Sequence, residues 1–267
     1  MDSHTAAAIA QLVFYIPAIP VAFYLCVRNW KRGPRMACYP AVPFTNIRLV
    51  GAILVIVEEQ NQTNTSLIAA TLVLLNLGLV PLVLNYLGFV RQVFRSSLKD
   101  SKGAKRFSFV VHLFILGAVA LLSTSGALAG QPDRANTQSR VAKVAYIEFT
   151  GIFLALVGMT SVLYFKQSKV KDSDRIYLKW MLIASVFLAV RIVYGLLGVF
   201  EPKGDFTQVL RSQWNPLFGS AVAFSLMALL PEYLALCCYF KLGFHRLRTY
   251  RREDLEEAAP EVRLHSR

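Results

Sequence analysis

Charge is scarce in this sequence. Only 17% of its 267 residues are Asp, Glu, Lys or Arg, against about 25% in soluble globular domains, which argues against an ordinary aqueous enzyme. Histidine is as sparse. His4, His112, His245 and His265 stand far apart, so no metal-ligand spacing forms and no metal is expected. The cysteines are Cys26, Cys38, Cys237 and Cys238, too few for a disulfide scaffold. No Asp lies inside an apolar run, and neither a phosphate-binding glycine loop nor a Gly-x-Ser-x-Gly elbow occurs. These absences leave no cofactor to expect.

What the chain has in quantity is apolar length. Apolar residues make up 55% of it and the mean hydropathy is +0.46. Seven stretches are long enough for a bilayer-spanning helix, which takes about 20 residues. They are Ala6–Val27, Met36–Val57, Ser66–Val90, Phe107–Gly130, Val144–Phe165, Tyr177–Phe200 and Asn215–Phe240. Strand alternation is missing, and runs this long read as transmembrane helices. The expectation is an all-α membrane protein, with a seven-helix domain over 1–245 and a charged cytosolic tail over 246–267. Met1–Thr5 has no basic leader and a basic cluster, not a cleavage site, follows the first run, so helix 1 is expected to be retained.

The net charge of +13 first suggests nucleic acid, but the basic residues alternate from loop to loop. Of the 29, 22 follow helices 1, 3, 5 and 7, five lie in the opposite loops, and Arg48 and Arg191 sit within spans. The positive-inside rule then puts the N terminus outside and the tail in the cytosol, where the tail's arginines favour anionic lipid. Nucleic acid is not an expected partner; the lipid bilayer is. Asn61 and Asn64 head two glycosylation sequons in a loop assigned to the outside. The cysteines fall at cytosolic helix ends, where thiols stay reduced.

Four charges lie away from the ends of the spans: Arg48, Glu148, Arg191 and Glu232. Each costs about 2.5–3.5 kcal/mol on insertion scales, so each needs a partner or water. Arg48 precedes Glu58 by ten residues, as Arg191 precedes Glu201, which puts both about 15 Å deep. Glu232 lies at similar depth from the other side, and Glu148 is shallower. One reading is a polar midplane cavity, in which Glu232 and Glu148 are candidate proton donors and Arg48 and Arg191 bind a carbonyl or carboxylate. The other is a structural Arg–Glu lock between helix 7 and helix 2 or 6. Pro231 is expected to kink helix 7 and free a carbonyl.

Helices 2 and 6 align without gaps from Phe44 to Glu58 and from Phe187 to Glu201, with Arg48 matching Arg191. Gly78-Leu-Val-Pro81 and Ala228-Leu-Leu-Pro231 extend the match to helices 3 and 7, and Tyr15-Ile16 and Tyr146-Ile147 to helices 1 and 5. This implies a parallel 3+1+3 repeat with helix 4 as connector, a build that some transporters use.

Together, Tyr15-Ile-Pro-Ala, Arg48-Leu-Val-Gly, Gly78-Leu-Val-Pro81-Leu, Lys143-Val-Ala-Tyr146, Arg191-Ile-Val-Tyr194 and Met227-Ala-Leu-Leu-Pro231-Glu232-Tyr233 resemble a family of uncharacterised fungal seven-helix membrane proteins, catalogued as a domain of unknown function. The likeness covers about residues 10 to 245. It implies a fungal source and, by association, a place beside specialised-metabolite pathways. Asn85 and Tyr86 stand where that family has small residues, and Glu148 where it tends to be apolar. The first two are therefore candidate substrate-binding residues. The expected function is to hold a hydrophobic small molecule, alone or with other enzymes of its pathway, and to promote or assist a cyclisation-type step. The alternatives are a small-molecule or lipid transporter and a seven-helix receptor. The expected location is the endoplasmic reticulum, another endomembrane or the plasma membrane.

Overall fold

The computed structural model describes residues 3–30, 35–60, 64–97, 102–128, 134–165, 172–201 and 213–265. Among them the secondary structure is helical: α1 (Ser3–Asn29), a 3-10 turn (Arg35–Ala37), α2 (Ala41–Gln60), α3 (Thr65–Leu77), α4 (Leu79–Ser97), α5 (Lys102–Leu128), α6 (Ala135–Phe165), α7 (Asp172–Phe200), α8 (Ala221–Phe224), a π turn (Ser225–Leu229) and α9 (Leu230–His265). These form seven spans long and apolar enough to cross a membrane, with α3 and α4 sharing the third and α8, the π turn and α9 the seventh. We read the chain as a multi-pass membrane protein.

Side-chain burial follows from that setting. α4 is the axial helix. Leu82, Val83, Asn85, Tyr86, Leu87, Phe89, Val90 and Val93 are all buried, and a helix segment buried on every side belongs inside a bundle. α5 lies outermost, with Phe109, Leu113, Phe114 and Leu116 exposed, as lipid contact requires. Cross-span contacts define two faces. On the N-terminal face Thr5 bonds Glu59, and His4 meets the Gly219 carbonyl at 2.8 Å. On the opposite face Ser96 bonds Asp174, Lys241 lies 4.8 Å from the Trp180 ring centre, and Tyr177 packs 5.4 Å from the His245 ring.

The seventh span departs from the sequence reading at both ends. Its helix begins at Ala221, not Asn215. Pro216 has no N–H to donate, the Asn215 side chain accepts from Leu217 N at 2.9 Å, and Ser220 caps the helix through Ala223 N. At the other end the helix continues past Phe240, with α9 running on to His265. Ahead of Pro231, where a kink is expected, the helix widens into the π turn over Ser225–Leu229. Proline cannot donate to the carbonyl four residues back and crowds it, and a wider turn absorbs the misfit.

The third span is interrupted at Gly78, three residues before Pro81. Asn64 opens α3 as its cap, accepting from Leu67 N at 3.2 Å, and is exposed. Asn61, the other sequon residue, lies outside the described residues.

Candidate functional site

Helix phase brings three of the four intramembrane charges to one point. Arg48 of α2, Arg191 of α7 and Glu232 of α9 are each at most 2% exposed. Arg48 Nη2 bonds the Glu232 carboxylate, and Arg191 Nε donates to Oε1 at 2.6 Å. Arg191 Nη2 also reaches the Leu75 carbonyl at 3.4 Å. The two guanidinium groups arrive from different spans and share one carboxylate.

The surroundings are shaped for this cluster. A Cβ on residue 78 would overlap the Arg48 guanidinium, so the glycine at the break in the third span makes room for the charge. Phe44 lies 5.9 Å below Arg48 and Tyr194 lies 5.7 Å from Arg191, both in cation–π range. Gln11 donates to the Arg48 carbonyl at 2.6 Å. Tyr15 packs edge-on against Phe44 at 5.7 Å, close enough to Arg48 and Glu232 to interact with their charges.

Charge and hydrogen bonding do not close. Two arginines against one glutamate leave one positive charge in excess. Arg48 Nε and Nη1 and Arg191 Nη1 are buried without a hydrogen-bond partner among the described residues, as are the hydroxyls of Tyr15 and Tyr194. Each unmet buried donor costs about 1–3 kcal/mol, and native structures hold few of them unless water, an ion or a ligand fills the gap.

Two hollows flank the cluster. An apolar groove of about 240 Å³ runs between the first and seventh spans, with Ala10, Gln11 and Tyr15 on one wall and Ser225, Leu229 and Tyr233 on the other. Its rim residues Phe14, Leu226 and Leu230 are exposed, so it opens to the lipid side. A second cavity, of about 130 Å³, lies toward the N-terminal face. Asn76, Ser125, Tyr146, Tyr194 and Trp214 line it.

The remaining candidates lie apart from the cluster. Glu148 is half-buried on α6 with its carboxylate against Gly117 of α5, and makes no ion pair with either arginine. Asn85 is buried in α4 with both amide atoms unpartnered among the described residues. Tyr86 donates to Thr160 Oγ1 at 3.1 Å. Sequence reasoning gave Tyr15, Gly78 and Tyr194 no role at the cluster, although all three stand in the motifs quoted above. Tyr194, three residues after Arg191, was legible as a neighbour one turn away.

The family model described as Domain of unknown function (DUF7702) matches residues 1–249. No curated protein and no solved structure matches the chain.

Proposed function

The chain belongs to the DUF7702 family, and since that membership specifies no chemistry, we propose a function from the bundle: a membrane protein of a fungal specialised-metabolite pathway that holds a hydrophobic intermediate between its helices and promotes or assists a cyclisation-type step. The observation that carries this reading is the apolar groove between the first and seventh spans, open to lipid and backed by Tyr15 beside the Arg48–Glu232 pair. An apolar molecule enters such a groove from the bilayer, and the unpartnered guanidinium donors hold its carbonyl or carboxylate. Glu232 is the candidate proton donor, after taking up a proton from water when a ligand draws one arginine away from it, and Glu148 is the alternative donor. Asn85 contributes an amide in the interior.

In this proposal the N terminus is outside and the tail cytosolic, because the basic residues crowd the face opposite the N terminus. The membrane is an endomembrane or the plasma membrane. The 3+1+3 repeat gains support from one pairing: Tyr146 interacts with Arg191 much as Tyr15 does with Arg48. That pairing also favours a second reading, a carrier for the same class of molecule, whose site would lie between the two halves.

The test is deletion of the gene with metabolite profiling, beside a strain carrying Ala10→Trp to fill the groove. The expected result is loss of one product and build-up of its acyclic precursor in both strains. Unchanged profiles overturn the proposal. Normal synthesis with intracellular retention of the product supports the carrier.

A further inference from the structure

On the face opposite the N terminus, an open cleft of about 730 Å³ lies between the first and second spans. α1 supplies Phe23, Val27 and Arg28, Trp30 follows at its end, and Tyr39 and Val42 come from the start of the second span. Phe23, Val27, Trp30 and Tyr39 are all exposed, so the cleft faces outward rather than into the bundle. The turn that joins its two walls is fixed from behind. Ala37 and Cys38 are buried, and a Cβ on Gly88 of α4 would overlap the Met36 backbone. The fourth helix therefore carries this turn at backbone contact, and Tyr39 stands on a firm base.

The lining has the order of a membrane interface. Apolar side chains sit deeper along α1, and a tryptophan and a tyrosine stand at its end, the residue types that settle at headgroup level. Charge here has one sign. Arg28 and Arg35 are exposed, and neither makes an ion pair among the described residues. No Asp or Glu occurs from residue 28 to residue 57. The Arg91 guanidinium of α4 adds a further cation, reaching Met36 Sδ at 3.8 Å. We infer that this cleft binds an anionic diacyl phospholipid, its phosphate held by Arg28 and Arg35 and an acyl chain laid along Phe23, Val27 and Val42. Guanidinium groups suit phosphate geometry. A choline headgroup fits poorly: the Arg35 guanidinium already lies 4.7 Å from the Trp30 ring centre, where it repels a second cation.

The experiment uses the full chain with Trp180→Phe and Trp214→Phe, which leave Trp30 as the sole indole. The protein is reconstituted in phosphatidylcholine vesicles, and quenching of Trp30 is measured as brominated phosphatidylserine or brominated phosphatidylcholine is added. The expected result is a relative association constant about fivefold or more in favour of phosphatidylserine, the gain that one basic residue gives beside an anionic headgroup. Arg28→Gln with Arg35→Gln is expected to abolish the preference; should that variant not fold, Arg35→Gln alone is expected to remove most of it. Arg95→Gln with Arg248→Gln takes the same charge from exposed positions on the same face and is expected to leave the preference in place. The measurement involves neither the groove nor the ion cluster, so it stands whatever becomes of the function proposed above. Three outcomes overturn the inference: equal association of the two lipids at Trp30, a preference that survives loss of Arg28 and Arg35 in a folded protein, or an equal loss in the Arg95 and Arg248 variant, which would mean general surface charge.

Discussion

The guanidinium of Arg48 occupies the space that a side chain at Gly78 would need. The second and third spans therefore meet through a charge laid over bare backbone, and the same arginine goes on to the carboxylate of Glu232, 184 residues away in sequence. Local chain geometry and the buried ion pair depend on each other.

Replacing that glycine tests the dependence. Gly78→Ala puts a methyl group into the guanidinium, which is held at its far side by Glu232 and cannot swing away freely. The expected cost is about 1–3 kcal/mol, the usual range for overpacking. It is measured as a lower thermal midpoint of the detergent-solubilised protein, with Gly51→Ala as the control, because a Cβ there meets only ordinary contact with Leu75 at 3.7 Å.

The excess charge makes the three members of the cluster unequal. Glu232→Gln strands two buried guanidinium groups and is expected to cost about 3–5 kcal/mol, the penalty of removing one partner from a buried pair. Arg48→Met leaves a one-to-one pair between Arg191 and Glu232 and is expected to cost far less, or to stabilise. Comparing unfolding midpoints of the two variants settles the order. Equal losses would mean that the second arginine is as indispensable as the carboxylate.

Tyr15→Phe deletes a hydroxyl with no partner among the described residues. Removing an unmet polar atom from an apolar site is neutral or stabilising, so the folded yield is expected to hold or rise. Because Tyr15 also forms the back wall of the groove, product formation in the strain carrying this variant is expected to fall. Stability and function should move apart, and a fall in both would assign the hydroxyl a structural role.

Asn85→Leu is a parallel case in α4. The amide is wholly buried and both of its polar atoms are unmatched, a debt of about 1–3 kcal/mol for each unmet group. A leucine of similar size should raise the thermal midpoint. If the metabolite profile also changes, Asn85 serves the ligand; a raised midpoint with an unchanged profile removes it from the site.

How much of this was legible beforehand differs between the fold and the site. Seven spans follow from run length, because a bilayer imposes one dimension on every helix. Depth is readable for the same reason, and it correctly set Arg48, Arg191 and Glu232 level with one another. Azimuth is not, since it depends on how helices pack around an axis. Glu148 carried the same label as Glu232 in the sequence, yet helix phase turns it to Gly117. The use of Gly78 was hidden too. A glycine in an apolar run reads as a helix interruption, and only packing reveals that a guanidinium fills the space. The late start of the seventh helix was within reach, because Asn215-Pro216 and Ser220 are a turn and a cap in their own right.

The length of α9 has a mechanical consequence. From Leu230 to His265 the helix is continuous, about 54 Å at the usual rise per residue, with the π turn directly before one end and Glu232 in its first turn. It is a rod seated in the bundle from Glu232 onward, where Ala235, Leu236, Tyr239, Leu242 and Arg246 are buried. A tilt of the whole rod by about five degrees would carry its far end through roughly 5 Å relative to Glu232 for a helix of this length. A small tilt at Glu232 is thus magnified at the helix tip.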